Sequence, residues 1–79
     1  MKAKVYVTLK REVLDPQGDA VKRSLASLGF DVLKNVRVGK FIELDVDAES
    51  KDIAEEKVKE MCDQLLANPV IEDYRFEVT

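Results

Sequence analysis

The apolar residues of the stretch 31–47 occupy even positions on both sides of a glycine, and this parity constrains the fold more than any other feature. The set comprises Val32, Val36, Val38, Ile42, Leu44 and Val46. A two-residue hairpin at Gly39 and Lys40 would place Val38 opposite Phe41, so the apolar residues of one arm would face the polar residues of the other. The pattern therefore excludes that simple hairpin.

Two arrangements keep the even residues on one face. One is a hairpin with a three-residue loop over Gly39–Phe41 and a bulge. The other is a continuous strand of about 16 residues, roughly 50 Å long at about 3.3 Å per residue. That strand exceeds the roughly 30 Å diameter of a small domain, so it predicts a segment-exchanged dimer in which the far half of the strand pairs within a second copy. The sequence leaves both arrangements open.

The remaining patterns predict two more strands and two helices. They are a strand over 2–10, a helix from Asp15-Pro16 to Gly29, a helix from Asp47 or Ser50 to Asn68-Pro69, and a strand over 70–78. The order predicts one α+β domain spanning residues 1–79, a ferredoxin-like βαββαβ fold with two helices on one face of an antiparallel sheet. The opposite face is then free, and we expect a partner to cover it.

The composition excludes several chemistries. The 79 residues include no histidine and one cysteine, so histidine-dependent zinc sites, nucleophile pairs and CxxC motifs are absent. Cys62 lies on an apolar helical stripe, where we expect a small buried hydrophobe. The cluster Asp45, Asp47, Glu49 and Asp52 lacks the spacing of a calcium loop. We expect no catalytic, cofactor-binding or metal-binding residue.

The charge pattern bears on partners and location. The net charge of -3 argues against general binding of nucleic acid or anionic membranes. Residues 1–40 hold nine basic and four acidic residues, whereas residues 41–79 hold four and twelve, a split that favours oriented association. The N-terminus has no unbroken apolar run for a signal peptide or membrane span, so we expect a cytoplasmic protein.

Three motifs carry a resemblance that covers nearly the whole chain. They are VLDPQG over residues 13–18, VRVGK over residues 36–40 and LLANPVIEDY over residues 65–74. In combination they resemble PurS, the small subunit of bacterial and archaeal phosphoribosylformylglycinamidine synthase. The resemblance implies a homodimer or higher oligomer that joins a glutaminase subunit, PurQ, to a synthetase subunit, PurL. The whole complex uses ATP, magnesium and glutamine, and no cofactor is expected on this subunit.

The resemblance also directs attention to the polar loops. We expect three segments to face the larger subunits: Asp15, Pro16, Gln17 and Gly18; Arg37, Gly39 and Lys40; and Asn68, Pro69, Ile71, Asp73 and Tyr74. From the residues alone, the first segment is more typical of a helix cap and the second of a solvated turn. An ACT-like ligand-sensing dimer, which shares the βαββαβ order, is the alternative function. An RNA-binding sheet is disfavoured by the acidic charge.

Overall fold

A computed structural model describes all residues from 1 to 79. The elements, in chain order, are β1 (Lys2–Leu9), α1 (Pro16–Ser27), β2 (Gly39–Asp45), α2 (Lys51–Met61), a π-helical turn (Cys62–Leu66) and β3 (Glu72–Val78). No helix is long and apolar enough to cross a membrane.

The three strands form one antiparallel sheet in the order β2-β1-β3. Val5 on the central strand lies opposite Ile42 on one side and Phe76 on the other. Because side chains alternate across a strand, Ala3, Val5 and Val7 share one face, and all three are buried. The predicted alternation of the first and last strands is confirmed.

The second helix covers this apolar face. Ser50 caps α2 by accepting a hydrogen bond from the Ile53 N–H at 3.2 Å, so Ser50 rather than Asp47 begins the helix. Its buried residues Ala54 and Val58, together with Cys62 of the π-helical turn, pack into the core with β1. Cys62 is fully buried, which confirms its predicted role as a small core residue.

The first helix begins and ends as predicted but packs differently. Asp15 caps it, Pro16 occupies the first turn, and Gly29 follows it with a φ of 99°. Within the chain, however, α1 buries only Gly18. Leu28, the apolar residue that follows the helix, remains 73 % exposed, so α1 does not cover the sheet as α2 does.

The structure of residues 31–47 decides against one of the two arrangements that the apolar pattern allowed. Gly39 lies at the start of β2 and opposite Thr8, so the predicted hairpin over Gly39–Phe41 is wrong. Residues 31–38 form no strand and pair with no strand of the chain. The α+β class and its antiparallel sheet are confirmed, while the fourth strand of the ferredoxin-like order is not formed within one chain.

The overall shape is long for so short a chain. The molecule measures 51 × 24 × 14 Å with a radius of gyration of 16.0 Å, against about 11.6 Å for a compact domain of this length. Because α1 and residues 31–38 are not folded back over the sheet, a single chain leaves apolar surface uncovered.

Candidate functional site

Asp15 is the centre of the first predicted segment. Its carboxylate accepts hydrogen bonds from the N–H groups of Gly18 and Val38, both at 2.9 Å, and the residue is 5 % exposed. These two hydrogen bonds lower the pKa of the Asp15 carboxyl group, with a smaller contribution from the charge of Arg37. The side chain therefore joins the start of α1 to the start of β2.

The Arg37 side chain donates its hydrogen bonds to main-chain carbonyl oxygens of the same chain. Its guanidinium donates to the carbonyl oxygens of Leu9 at 3.1 Å, Lys10 at 2.6 Å and Val13 at 3.3 Å, and its Nε lies 4.0 Å from the Asp15 carboxylate. The sequence predicts Arg37 as a contact for a partner. In the structure it fixes the loop that follows β1.

The two glycines of these segments mark close approaches of the main chain. A Cβ atom on Gly18 would overlap the carbonyl oxygen of Val36, and one on Gly39 would overlap the carbonyl oxygen of Val7. Any larger side chain at either position would push these segments apart. Gly18 and Gly39 therefore serve the packing of α1 and β2 rather than presenting a side chain to a partner.

Lys40 and Gln17 remain available at the surface. They line a small cleft of about 220 Å³, together with Val38 and Glu72. The Lys40 ammonium group lies 3.8 Å from the Glu72 carboxylate, and its side chain is 60 % exposed. The structure thus brings the first and second predicted segments together beside the beginning of β3.

The third segment forms a turn at the same place. The Asn68 side chain accepts a hydrogen bond from the Val70 N–H at 3.0 Å, and the Asn68 N–H donates to Glu72 at 2.7 Å. The Ile71 carbonyl oxygen accepts from the Lys10 N–H at 2.9 Å. This turn therefore lies beside the end of β1. We call the combined surface of residues 10–18, 35–40 and 67–72 the loop end.

Two residues of the third segment lie away from the loop end. Tyr74 faces the helical layer, where its hydroxyl donates to the Asp63 carboxylate at 2.7 Å. That hydrogen bond raises the pKa of Tyr74 to about 12 and, with Lys59, lowers the pKa of Asp63. Asp73, which pairs with Thr8, points to the other face of the sheet. The structure therefore does not bring all twelve predicted residues together.

Sequence reasoning missed the exposed apolar residues of the loop end. Leu14 and Val70 flank the predicted polar segments and are among the most exposed large hydrophobic residues of the chain. Both sit inside the VLDPQG and LLANPVIEDY motifs. Val70 shares the even positions of Tyr74, Phe76 and Val78, so periodicity places it on the apolar face of the predicted strand over 70–78, whereas β3 begins at Glu72. No periodic signal therefore marked these two residues as exposed.

Metal-ligating side chains do not gather at one place in this molecule. It contains no cluster of three or more histidine, cysteine, aspartate or glutamate side chains that could hold a metal ion. Burial raises the pKa of the Cys62 thiol, which disfavours the thiolate that a nucleophile needs. What the loop end provides is a surface of hydrogen-bonded turns with a few exposed polar and apolar side chains.

A profile of the PurS family, described as phosphoribosylformylglycinamidine (FGAM) synthase, matches residues 2–79. The PurS subunit from Bacillus subtilis is 53 % identical over 77 residues, covering 98 % of this chain and 90 % of that protein. The subunit from Synechocystis is 51 % identical over 76 residues, covering 96 % of this chain and 76 % of that protein.

Solved structures that resemble this chain are also PurS structures. Crystalline Bacillus subtilis PurS aligns with a TM-score of 0.88 at 52 % identity, covering 99 % of this chain and 96 % of that chain. A chain of the PurLQS structure from Thermotoga maritima aligns with a TM-score of 0.88 at 39 % identity, covering 96 % and 93 %. These matches favour an assembly subunit over the ACT-like alternative.

Proposed function

Because this chain belongs to the PurS family, we propose that it is the small subunit of phosphoribosylformylglycinamidine synthase and joins the glutaminase subunit PurQ to the synthetase subunit PurL. The observation that carries the proposal is the whole-length similarity to a chain of the PurLQS structure. The complex converts formylglycinamide ribonucleotide, ATP and glutamine to formylglycinamidine ribonucleotide, ADP, phosphate and glutamate.

The contribution of this subunit is geometric. Ammonia released into water at neutral pH becomes protonated and loses its nucleophilic lone pair, so the glutaminase and synthetase sites must be held in register and shielded. The chain supplies no histidine, and its one cysteine is buried. We propose that ATP, magnesium and glutamine bind to the larger subunits, as the resemblance implies, and that the complex works in the cytoplasm.

We assign the contact with the larger subunits to the loop end. Gln17, Lys40 and Pro69 have exposed side chains there, while Asp15 and Arg37 hold the turns that present them. A surface whose turns are already fixed by internal hydrogen bonds loses little conformational entropy when a partner binds. The loop end is thus suited to set the relative position of two large subunits.

The homodimer accounts for the surface that one chain leaves uncovered. An apolar groove of about 440 Å³ lies between the end of β2 and α2, lined by Leu44, Val46 and Met61 among others. The outer edge of β2 has no strand partner. Leu28, which follows α1, is exposed, and residues 31–38 are unpaired. In a two-fold dimer, residues 31–38 and α1 of one copy cover the strand edge and groove of the other.

Reconstitution tests the proposal. The chain is mixed with the glutaminase and synthetase subunits, and the mass of the assembly is measured by native mass spectrometry. We expect a complex containing all three polypeptides, and its loss when this chain is left out. A complex of the two larger subunits that forms equally well without this chain would overturn the proposal. Addition of free amino acids, which an ACT-like module would bind, should leave the thermal stability of the isolated chain unchanged.

A further inference from the structure

The loop end contains a second cleft, which is lined only by polar side chains. Arg11, Asn35 and Arg37 surround a volume of about 410 Å³. Arg11 lies in the loop after β1, whereas Asn35 and Arg37 belong to the unpaired stretch that leads into β2. No carboxylate and no hydrophobic side chain lines this space. The cleft therefore presents two guanidinium groups and one amide to whatever binds there.

The Arg37 guanidinium is a fixed wall of this cleft. It donates to three main-chain carbonyl oxygens, and these neutral acceptors leave its positive charge in place. The Asp15 carboxylate, 4.0 Å from Nε, offsets part of that charge, and the Arg37 side chain remains 28 % exposed. The group is thus oriented before any partner binds, which reduces the conformational entropy lost on binding.

The other positive charges at the cleft have no partner within the chain. Seven ion pairs connect charged groups of this molecule, and none of them includes Lys10, Arg11 or Lys34. An arginine can donate two parallel hydrogen bonds to one carboxylate, and the side-chain amide of Asn35 offers further donors. The cleft therefore has the composition of a site for an oxyanion.

The lining of the cleft indicates which oxyanion it receives. Sites for small ligands bury most of the ligand and are lined mainly by apolar side chains, whereas this cleft has no apolar lining. A carboxylate that belongs to a larger protein surface needs no such walls, because the surrounding contacts hold it in place. The loop end is the surface that we assign to the larger subunits, so a carboxylate from one of them reaches the cleft when that subunit binds.

The cleft stays accessible in the proposed homodimer. When residues 31–38 pair as a strand with the second copy, successive side chains point to opposite sides. Val36 and Val38 then belong to the apolar side that the homodimer buries, and Asn35 and Arg37 point to the other side. A protein other than the second copy can therefore reach the cleft.

We propose that the cleft formed by Arg11, Asn35 and Arg37 binds a carboxylate side chain on an acidic segment of one of the larger subunits. The inference rests on the proposed function and adds the chemistry of the contact. Arg11 supplies two charge-assisted hydrogen bonds, Asn35 a neutral donor and Arg37 a fixed positive charge. Because Lys10 and Lys34 flank the cleft in sequence and are also unpaired, the partner segment carries more than one acidic residue.

The affinity of the full chain for the larger subunits tests the inference, measured by biolayer interferometry at low and at high salt. We expect Arg11→Glu to weaken binding at least about tenfold at low salt, because it sets a carboxylate against a carboxylate. The difference from the native chain should shrink at high salt, which screens exposed charges. Arg11→Lys keeps the charge and should bind more tightly than Arg11→Glu.

A matched control and two further measurements exclude other causes. Lys51→Glu makes the same charge reversal at the beginning of α2, beyond the end of β2 that is remote from the loop end, and should have no effect on affinity. Arg11 is exposed and forms no hydrogen bond or ion pair within the chain. The thermal unfolding and the mass of the isolated Arg11→Glu chain should therefore match those of the native chain.

The outcomes separate this inference from the proposed function. If Arg11→Glu binds the larger subunits as tightly as the native chain does, the inference is wrong and the proposed function stands. If Arg11→Glu changes the mass of the homodimer, the cleft receives a carboxylate of the second copy and the inference is wrong. Inorganic phosphate that shifts the Asn35 side-chain resonances of the isolated chain at micromolar concentration would assign the cleft to a free anion instead. A native chain that binds neither larger subunit overturns both.

Discussion

The Asp15 carboxylate accepts a hydrogen bond from the Val38 N–H at 2.9 Å, across 23 residues of sequence. The same side chain caps α1 through Gly18. A cap ordinarily fixes one helix end, whereas this one also fixes where the unpaired stretch 31–38 ends and β2 begins. The buried Asp15 carboxylate therefore ties two segments of the loop end together.

Asp15→Asn should destabilise the isolated protein at neutral pH. An amide offers one acceptor oxygen where the carboxylate offers two, so the bond to Gly18 or to Val38 is lost. We expect the midpoint of thermal unfolding at pH 7 to fall by roughly 5 °C. Asp19→Asn, an exposed first-turn residue without a side-chain hydrogen bond, is the matched control and should change the midpoint little.

The same carboxylate makes stability depend on pH. The pKa of Asp15 is lower in the folded chain than its ordinary value of 3.8, so its contribution is complete above about pH 4 and is lost as pH falls through the folded pKa. The difference in unfolding midpoint between the native chain and Asp15→Asn should therefore shrink as pH is lowered from 7 to 3. A difference that stays constant over that range would contradict this role.

Substitutions of Arg37 and Lys40 should distinguish an effect on the stability of the isolated chain from an effect on its binding to the larger subunits. Arg37→Gln removes donors to three carbonyl oxygens, so thermal unfolding of the isolated chain should shift to lower temperature. Lys40→Gln loses an ion pair whose lysine side chain is 60 % exposed. Such a pair contributes about 0–1 kcal/mol, so unfolding should be nearly unchanged while affinity for the larger subunits falls. Equal affinity for those subunits in Lys40→Gln and the native chain would remove Lys40 from the interface.

The dimer predicted from the unpaired segments can be tested at α1. Leu28→Asp places a charge on a side chain that is 73 % exposed in one chain and buried in the proposed dimer. We expect size-exclusion chromatography with light scattering to show a shift from dimer to monomer. Ala26→Asp introduces the same side chain on the opposite side of the helix and should leave the dimer intact. If Leu28→Asp and Ala26→Asp both form assemblies of the same mass as the native protein, the end of α1 is not part of the dimer interface.

The Tyr74–Asp63 hydrogen bond should be visible in a titration. A neutral phenol donating to a carboxylate is favoured over a phenolate beside it, which raises the pKa of Tyr74 to about 12. Asp63→Asn removes the negative charge, so the pKa should fall toward 10, as followed by carbon NMR of labelled tyrosine. A pKa that is the same in both proteins would mean that the hydrogen bond does not control this titration.

Local signals predicted most of the elements. Asp15 and Pro16 begin α1, Ser50 begins α2, and Gly29 takes up a positive φ after α1, as their types favour. Alternation predicted β1 and β3 because one face of each is buried by α2. Helix caps depend on neighbouring residues in the sequence, and strand alternation depends on packing against one layer. Both leave a pattern of residue types that can be identified in the sequence.

Contacts between residues that are distant in the sequence could not be predicted from the residue pattern. Parity required the even-numbered apolar residues between 32 and 46 to share a face, and it could not show that residues 31–38 pair with no strand within the chain. The sequence predicted Arg37 as a free cation, whereas its guanidinium donates to three carbonyl oxygens. Every residue has a main-chain carbonyl group, so residue types could not identify these acceptors. Phe41, Tyr6 and Arg75 lie side by side across three strands because of the strand register, which residue types do not determine.

The most direct test of the account is the rate of formylglycinamidine ribonucleotide synthesis by the two larger subunits, with and without this chain, using glutamine or ammonia as the nitrogen source. We predict that the chain is required for the glutamine-driven rate and changes the ammonia-driven rate much less, because it positions two active sites and takes part in neither reaction. A glutamine-driven rate that is the same without the chain would contradict the account.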